Sequence, residues 1–283
     1  MKYVYCCVVG GGFNDQLCTI KLALDYCDKN GRTLIMNNRL STYDVDFEIY
    51  FNFPITNIIY DVNMVKKLVN DNSCTIYQEL DREKISDSID NKYTFGLIRP
   101  HLTCDNILLS LPNKNVNEDL IVFGRRGGGY GYPLFKTLIF KNDIKKIILA
   151  RYETLKKPYL SIQIRNTDYK CDYELLYENN KTEIHSATEI YIATDDKKAL
   201  NFFIDKGLPV KNFTTFPVAS QYHNLHYSRV EPHIKFIDML SDIYICGMSD
   251  KLISSSSGGF IRLIRNCNQN KHHLNKQFEI IDE

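Results

Sequence analysis

The chain has 283 residues, enough for two domains of about 140 residues rather than one core. Hydrophobic residues make up 44% and charged residues 24%, a globular balance that excludes long disordered stretches. The 35 basic and 34 acidic residues leave a net charge of +1, without the basic excess of a general nucleic-acid surface, so any anion site is local.

In chain order, Tyr3 to Val9 is a continuous apolar run with β-branched and aromatic residues, the pattern of a buried parallel strand. It is too short to span a membrane and lacks a signal-peptide cleavage pattern. Gly10-Gly11-Gly12 follows, then apolar residues at helical spacing from Leu17 to Tyr26, with Gly31 as a helix stop. Thr33 to Met36 is the next strand, completing a βαβ unit. Residues 40–115 are irregular and rich in Asn, Asp and Tyr. Leu120 to Phe123 reads as a strand. The glycine-rich segment from Gly124 to Pro133 is expected near the interdomain region, with a helix over about 136–156.

The second half restarts the same alternation. Strands are predicted at 159–164, 189–193, 211–216 and 251–253, with helices through about 205, over 232–248 and from about 260. This alternation implies parallel, doubly wound sheets, two in one chain, facing each other across a cleft.

Nine cysteines, an odd number with no CxxC spacing, read as reduced and mostly buried thiols of a cytoplasmic protein rather than a zinc site. His223, His226 and His233 match no strong ligand spacing. Asp44-Val45-Asp46 is a DxD of the metal-dependent glycosyltransferase type, but it lies in an irregular stretch with no apolar strand before it.

Ligands of open α/β sheets bind beyond the carboxyl ends of the strands, and four polar or glycine-rich segments fall there. Gly10 to Gln16 offers backbone N–H groups at a helix N-terminus; alternatively its glycines only make the turn. Arg165 ends a strand three residues before Asp168. Arginine can fork two bonds onto a phosphate, although a surface salt bridge gives the same pattern. Asp195 and Asp196 follow another strand, where a carboxylate can accept from the two N–H donors of guanine, or one can cap the next helix. Ser254 to Gly259 offers hydroxyls and N–H groups for phosphate, or is a plain serine loop.

These segments resemble the fucosyltransferase superfamily that includes α-1,2-, α-1,6- and protein O-fucosyltransferases. The opening Gly10-Gly11-Gly12-Phe13-Asn14-Asp15-Gln16 and Gly31-Arg32-Thr33-Leu34 are similar to its glycine-rich start and following strand. Gln163-Ile164-Arg165-Asn166-Thr167-Asp168 resembles its His-x-Arg-Arg-(Gly/Thr)-Asp motif, with Gln163 in place of the histidine and Asn166 in place of the second arginine. Ala193-Thr194-Asp195-Asp196 resembles its guanine-contacting segment, and Asp242 to Ser257 and Arg262 its helix, strand and serine turn.

The resemblance implies the α/β GT-B architecture, two Rossmann-like domains facing a cleft. An N-terminal acceptor-side domain would span 1–135 and a nucleotide-sugar-binding domain 136–283. It implies an inverting, metal-independent transfer of fucose from GDP-fucose to a glycan or glycoprotein acceptor, with no cofactor, nucleic-acid partner or membrane span. Arg165 and Asp168 would be catalytic. Gly11, Gly12, Asn14, Gln163, Arg165, Asp195, Asp196, Ser256, Ser257 and Gly258 would bind the nucleotide sugar. Asp168, Asp172, Glu174 and Asp15 are candidates for the base. Another donor on the same fold, UDP-xylose or a rhamnosyl nucleotide, and a non-catalytic sugar-binding protein are the alternatives.

Overall fold

The structure is a computed structural model that describes residues 1–280 except 55–56, 92, 167–169, 218–224, 226–227 and 229. The chain forms two compact units, Met1–Ile139 and Phe140–Glu283.

Unit 1 opens with β1 (Tyr3–Cys7), α1 (Phe13–Asn30) and β2 (Thr33–Asn37), the βαβ unit legible in the sequence. All five residues of β1 are buried, as a central parallel strand covered on both faces requires. Gly31 adopts φ 63, the left-handed conformation that ends α1 without a Cβ penalty. β3 (Phe51–Asn52), β4 (Ile58–Ile59), α2 (Asn63–Asn70) and α3 (Arg82–Asp87) follow. Then come β5 (Gly96–Ile98), β6 (His101–Cys104) and β7 (Ile107–Leu108), an antiparallel three-stranded sheet in a stretch that carries no clear periodicity. β8 (Leu120–Gly124) and the short α4 (Tyr132–Phe135) follow. The main sheet has the order β4-β2-β1-β8, every pair parallel. Tyr5, Ile35 and Val122 are paired across the three adjacent strands β2, β1 and β8 and buried in one core.

The predicted helix over 136–156 resolves into β9 (Ile139–Phe140) and α5 (Asn142–Glu153). Unit 2 continues with β10 (Leu160–Ile164), α6 (Tyr173–Asn179), α7 (Lys181–Ser186), β11 (Ile190–Thr194) and α8 (Lys197–Asp205). It ends with β12 (Val210–Lys211), α9 (Pro232–Met248), β13 (Lys251–Ile253), α10 (Gly259–Gln269) and α11 (Lys271–Phe278). The sheet order is β12-β11-β10-β13, again all parallel. The strand predicted at 211–216 is shorter, because Asn212 instead turns its side chain back onto the carbonyl of Ile192 at 2.7 Å. α9 is buried along most of its length between Phe236 and Gly247, which matches the mainly apolar sequence of that stretch.

All nine cysteines are free and buried. Burial holds the Cys7 thiol up to about 12, so it stays protonated and packs as a small hydrophobe. Among the described residues, no helix is long and apolar enough to cross a membrane.

Candidate functional site

Three adjacent strands of unit 2, β11, β10 and β13, point their carboxyl ends the same way, so the segments after them are neighbours. Arg165 and Asn166 follow β10, Asp195 and Asp196 follow β11, and the run from Ser254 follows β13.

Asn166 joins the first two segments. Its backbone N–H donates to Asp195 Oδ1 at 2.8 Å, and its side-chain amide donates to Asp196 Oδ2 at 2.7 Å. Its own carbonyl Oδ1 accepts from the N–H of Cys171 at 3.0 Å. Asp196 is also the N-cap of α8, accepting from the Lys198 N–H at 2.8 Å. The two aspartates are therefore unlike: Asp196 caps a helix, while Asp195 follows the strand end directly.

Gln163 joins β10 to the serine turn. It is buried, and its Oε1 accepts from the Ser254 hydroxyl at 2.9 Å. Ser254 Oγ accepts from the Ser256 N–H at 3.1 Å, and Ser256 Oγ accepts from the Gly258 N–H at 3.3 Å. The serines thus build a local hydrogen-bonded turn rather than a plain loop. Gly258 stands at the N-cap of α10, whose first turn carries no acid, so the positive end of that helix dipole faces the turn. Arg165 reaches the same place: a Cβ at Gly258 would lie 3.9 Å from its Nη1. Ser257 is exposed there, Ser256 is buried, and Arg165 is half-buried. Beside the turn, a cavity of about 480 Å³ opens between α6, α7 and β13, lined by Asp172, Leu175, Asn179, Lys251, Ser254 and Ser255 among others. Asp168 lies outside the described residues.

The expected positions in unit 1 occupy the β1–α1 turn. Gly10 and Gly11 have φ 63 and 73, a conformation that disfavours any side chain. Gly12 is the N-cap of α1. The carbonyl of Gly11 accepts from Gln16 Nε2 at 3.0 Å and from Thr42 Oγ1 at 2.8 Å, which holds the turn from both sides. Asn14 is buried, and its Oδ1 accepts from the N–H of Gly131 at 3.0 Å. The glycine-rich segment placed near the interdomain region by its sequence is thus part of unit 1. It packs on the start of α1 so closely that a Cβ at Gly128 would lie 2.9 Å from Asp15 Cα.

Asp46 of the DxD is held by Arg39, whose Nε and Nη2 fork onto its two oxygens at 2.7 and 2.8 Å. Among the described residues, no group of three or more His, Cys, Asp or Glu is placed to hold a metal ion. His223 and His226 lie outside the described residues.

A buried acid network beneath β11 escaped sequence reasoning. Tyr191, inside β11, donates to Asp242 Oδ1 of α9 at 2.5 Å. One turn away, Asp238 pairs with Arg151 at 2.8 Å and accepts from the Thr215 N–H at 2.7 Å. Burial, with Asp238 and Asp195 adding negative charge nearby, pushes the Asp242 carboxyl up to about 8; the Tyr191 hydroxyl and Arg151 act the other way. The signal was there: Asp238 and Asp242 stand four apart in the mainly apolar stretch Phe236 to Gly247.

This arrangement, two units with parallel sheets and a polar cluster at the carboxyl ends of one of them, is the fold of a class of glycosyltransferases. NodZ α-1,6-fucosyltransferase, co-crystallised with GDP, superposes with a TM-score of 0.60 and 18% identity, covering 94% of this chain and 92% of that one. The fucosyltransferase NodZ from Bradyrhizobium gives 0.59 and 18%, covering 94% and 93%. POFUT1 in complex with GDP-fucose gives 0.54 and 12%, with 94% of each chain covered. No protein-family model matches the chain. No curated protein matches it by sequence. The chain therefore shares the fold of these fucosyltransferases over nearly its whole length.

Proposed function

We propose that the chain is a glycosyltransferase that takes fucose from GDP-fucose and passes it, with inversion, to a carbohydrate or protein-linked sugar. The observation that carries this reading is the meeting of Arg165, the Asn166–Asp195–Asp196 cluster and the Ser254–Gly259 turn at the ends of three adjacent strands. Its support is that structures of the same fold hold GDP or GDP-fucose.

In this reading unit 2 binds the donor. Arg165, the Ser256 and Ser257 turn and the N–H groups at Gly258 take the diphosphate, and Asp195 takes the two N–H donors of guanine. Asp196 and Gln163 act mainly by holding these parts in place. The β1–α1 turn, with Gly11 and Gly12 at the N-terminus of α1 and Asn14 fixing the segment packed against it, stays assigned to the nucleotide sugar, and unit 1 otherwise serves the acceptor. During transfer the bond between the anomeric carbon and the β-phosphate oxygen breaks, GDP leaves with the electron pair, and the acceptor oxygen bonds to the sugar from the opposite face. Arg165 offsets the charge growing on the β-phosphate, a role worth about 3–4 kcal/mol for a well-placed donor. Asp168 is the candidate to receive the acceptor proton. With the phosphates provided for in this way, the reaction needs no cation.

The test is calorimetry of the full chain with GDP, UDP and ADP. The reading requires GDP to bind most tightly; tighter binding of UDP would transfer the site to another donor.

A further inference from the structure

The proposed donor site leaves the cavity beside the serine turn without a role. It lies wholly within unit 2, with α6 and α7 as one wall and β13 as the other. β13 is the edge of its sheet, paired with β10 alone among the described residues. At about 480 Å³ the cavity falls in the range of small-molecule sites, roughly 300–1,000 Å³. Ser254 and Ser255 line it, and they directly precede Ser256 and Ser257, which the donor reading gives to the diphosphate. Consecutive Cα atoms are about 3.8 Å apart, so a ligand in the cavity stands beside the donor and not on a remote surface.

The lining decides the class of ligand. Its cation, Lys251, is paired with Glu183 of α7, so no free positive charge waits there for a phosphate, sulfate or carboxylate. Asp172, Leu175 and Asn179 stand three and four residues apart and so form one stripe facing the cavity along α6. Asp172 caps α6 with Oδ1, which accepts from the Leu175 N–H at 2.8 Å, while its Oδ2 has no partner among the described residues. The exposed Asn179 side chain likewise makes no hydrogen bond among the described residues. A carboxylate oxygen that accepts, beside an amide that both donates and accepts, matches neighbouring hydroxyls on a sugar ring. Leu175 between them is 54% exposed and offers an apolar surface to the C–H face of such a ring. The competing occupant is a peptide adding as a strand to β13. That strand has only three residues and begins with Lys251, and both features blunt an edge against strand addition.

We infer that the cavity between α6, α7 and β13 binds an uncharged saccharide ring of the acceptor, adjacent to the ring that receives the donor sugar. Asp172 and Asn179 take its hydroxyls, and Leu175 takes its C–H face. This rests on the reading that Arg165 and the serine turn hold the donor diphosphate. The acceptor is then a neutral oligosaccharide rather than a single sugar, and it rests on unit 2 as well as on unit 1.

The experiment applies the full chain to an array of immobilised neutral oligosaccharides, sulfated oligosaccharides and unglycosylated peptides. Calorimetry then measures the best-bound glycan against wild type, Asn179→Ala and Leu175→Ala. Neutral oligosaccharides should bind. Asn179→Ala, which removes an exposed amide, should weaken them several-fold and up to about tenfold, as loss of a hydrogen bond does. Leu175→Ala, also at an exposed position, should weaken them by a similar factor, and the GDP affinity of both variants should match the wild type. Binding confined to sulfated glycans or to peptides, no binding to any of them, or full glycan affinity in both variants overturns the inference. Titration with GDP alone separates the two readings. Failure of GDP to bind the wild type removes the donor assignment, whereas glycan affinity lost in Asn179→Ala still places a neutral saccharide in the cavity.

Discussion

The side-chain amide of Asn166 donates to the carboxylate of Asp196 across 2.7 Å, tying the end of β10 to the cap of α8. Asn166 is a neutral brace between the two strand ends. Because the same residue also accepts from the Cys171 N–H, Asn166→Ala removes a hub rather than one bond. We expect a loss of about 1–3 kcal/mol, the cost of leaving half-buried partners unsatisfied, measured by urea unfolding. An unchanged midpoint would mean that water replaces the amide at no cost.

The two aspartates should separate in their effects. Asp196→Ala removes a helix cap and should cost about 0.5–2 kcal/mol of stability. Asp195→Ala removes the acceptor of the Asn166 N–H, at a cost of about 1 kcal/mol, and should in addition narrow the preference for GDP over UDP, which Asp196→Ala should not. Calorimetry with both nucleotides, beside melting curves, checks this; the reverse pattern would exchange the two roles.

Asp242 predicts a pH dependence of stability. Its carboxyl is held up to about 8 in the folded chain, while an unfolded aspartate titrates near ~3.9. Between those values the folded state carries one more proton than the unfolded state. Stability from this group is therefore fully present below about pH 4, declines as pH rises toward about 8, and levels off above it. Asp242→Asn keeps an acceptor for Tyr191 but cannot ionise, so its unfolding profile should lack that slope. Parallel profiles from pH 5 to 9 would remove Asp242 as its source.

Transfer or donor hydrolysis should survive excess EDTA, because Arg165, the serine turn and backbone N–H groups are assigned to the phosphates. Asp46, forked by Arg39, is already engaged. Complete loss of activity restored by manganese would contradict this assignment.

Much of the fold was legible because its strongest signals are local. Tyr3–Cys7, Leu160–Ile164 and Ile190–Thr194 are central strands buried on both faces, so their apolar runs are unbroken. Gly31 marks the end of α1 by a backbone angle that favours glycine. β5 to β7 were not legible because they are only two to four residues long and neither β5, exposed throughout, nor β6, with three consecutive buried residues, alternates. The glycine-rich segment from Gly124 to Pro133 falls in unit 1 shortly before the division between the units, and its glycines have a packing role of their own. Glycines that mark a linker in sequence are here required by close packing, since side chains at Gly128 and Gly131 would collide with Asp15 and Asn14. At the candidate site the sequence indicated which segments follow strands. It could not show that Asn166 and Gln163 are braces, because their partners lie 30 and 91 residues away.

The most direct test of the account is donor turnover by Arg165→Lys. Lysine keeps the positive charge but loses the planar fork, so the two variants Arg165→Lys and Arg165→Ala distinguish charge from geometry. Charge on the β-phosphate grows as the glycosidic bond breaks, so the loss should fall on turnover more than on GDP binding. The account predicts a drop of about a hundredfold or more in GDP-fucose turnover for both variants, with an unchanged melting curve. Near-normal turnover in both would contradict it and leave Arg165 as a surface cation.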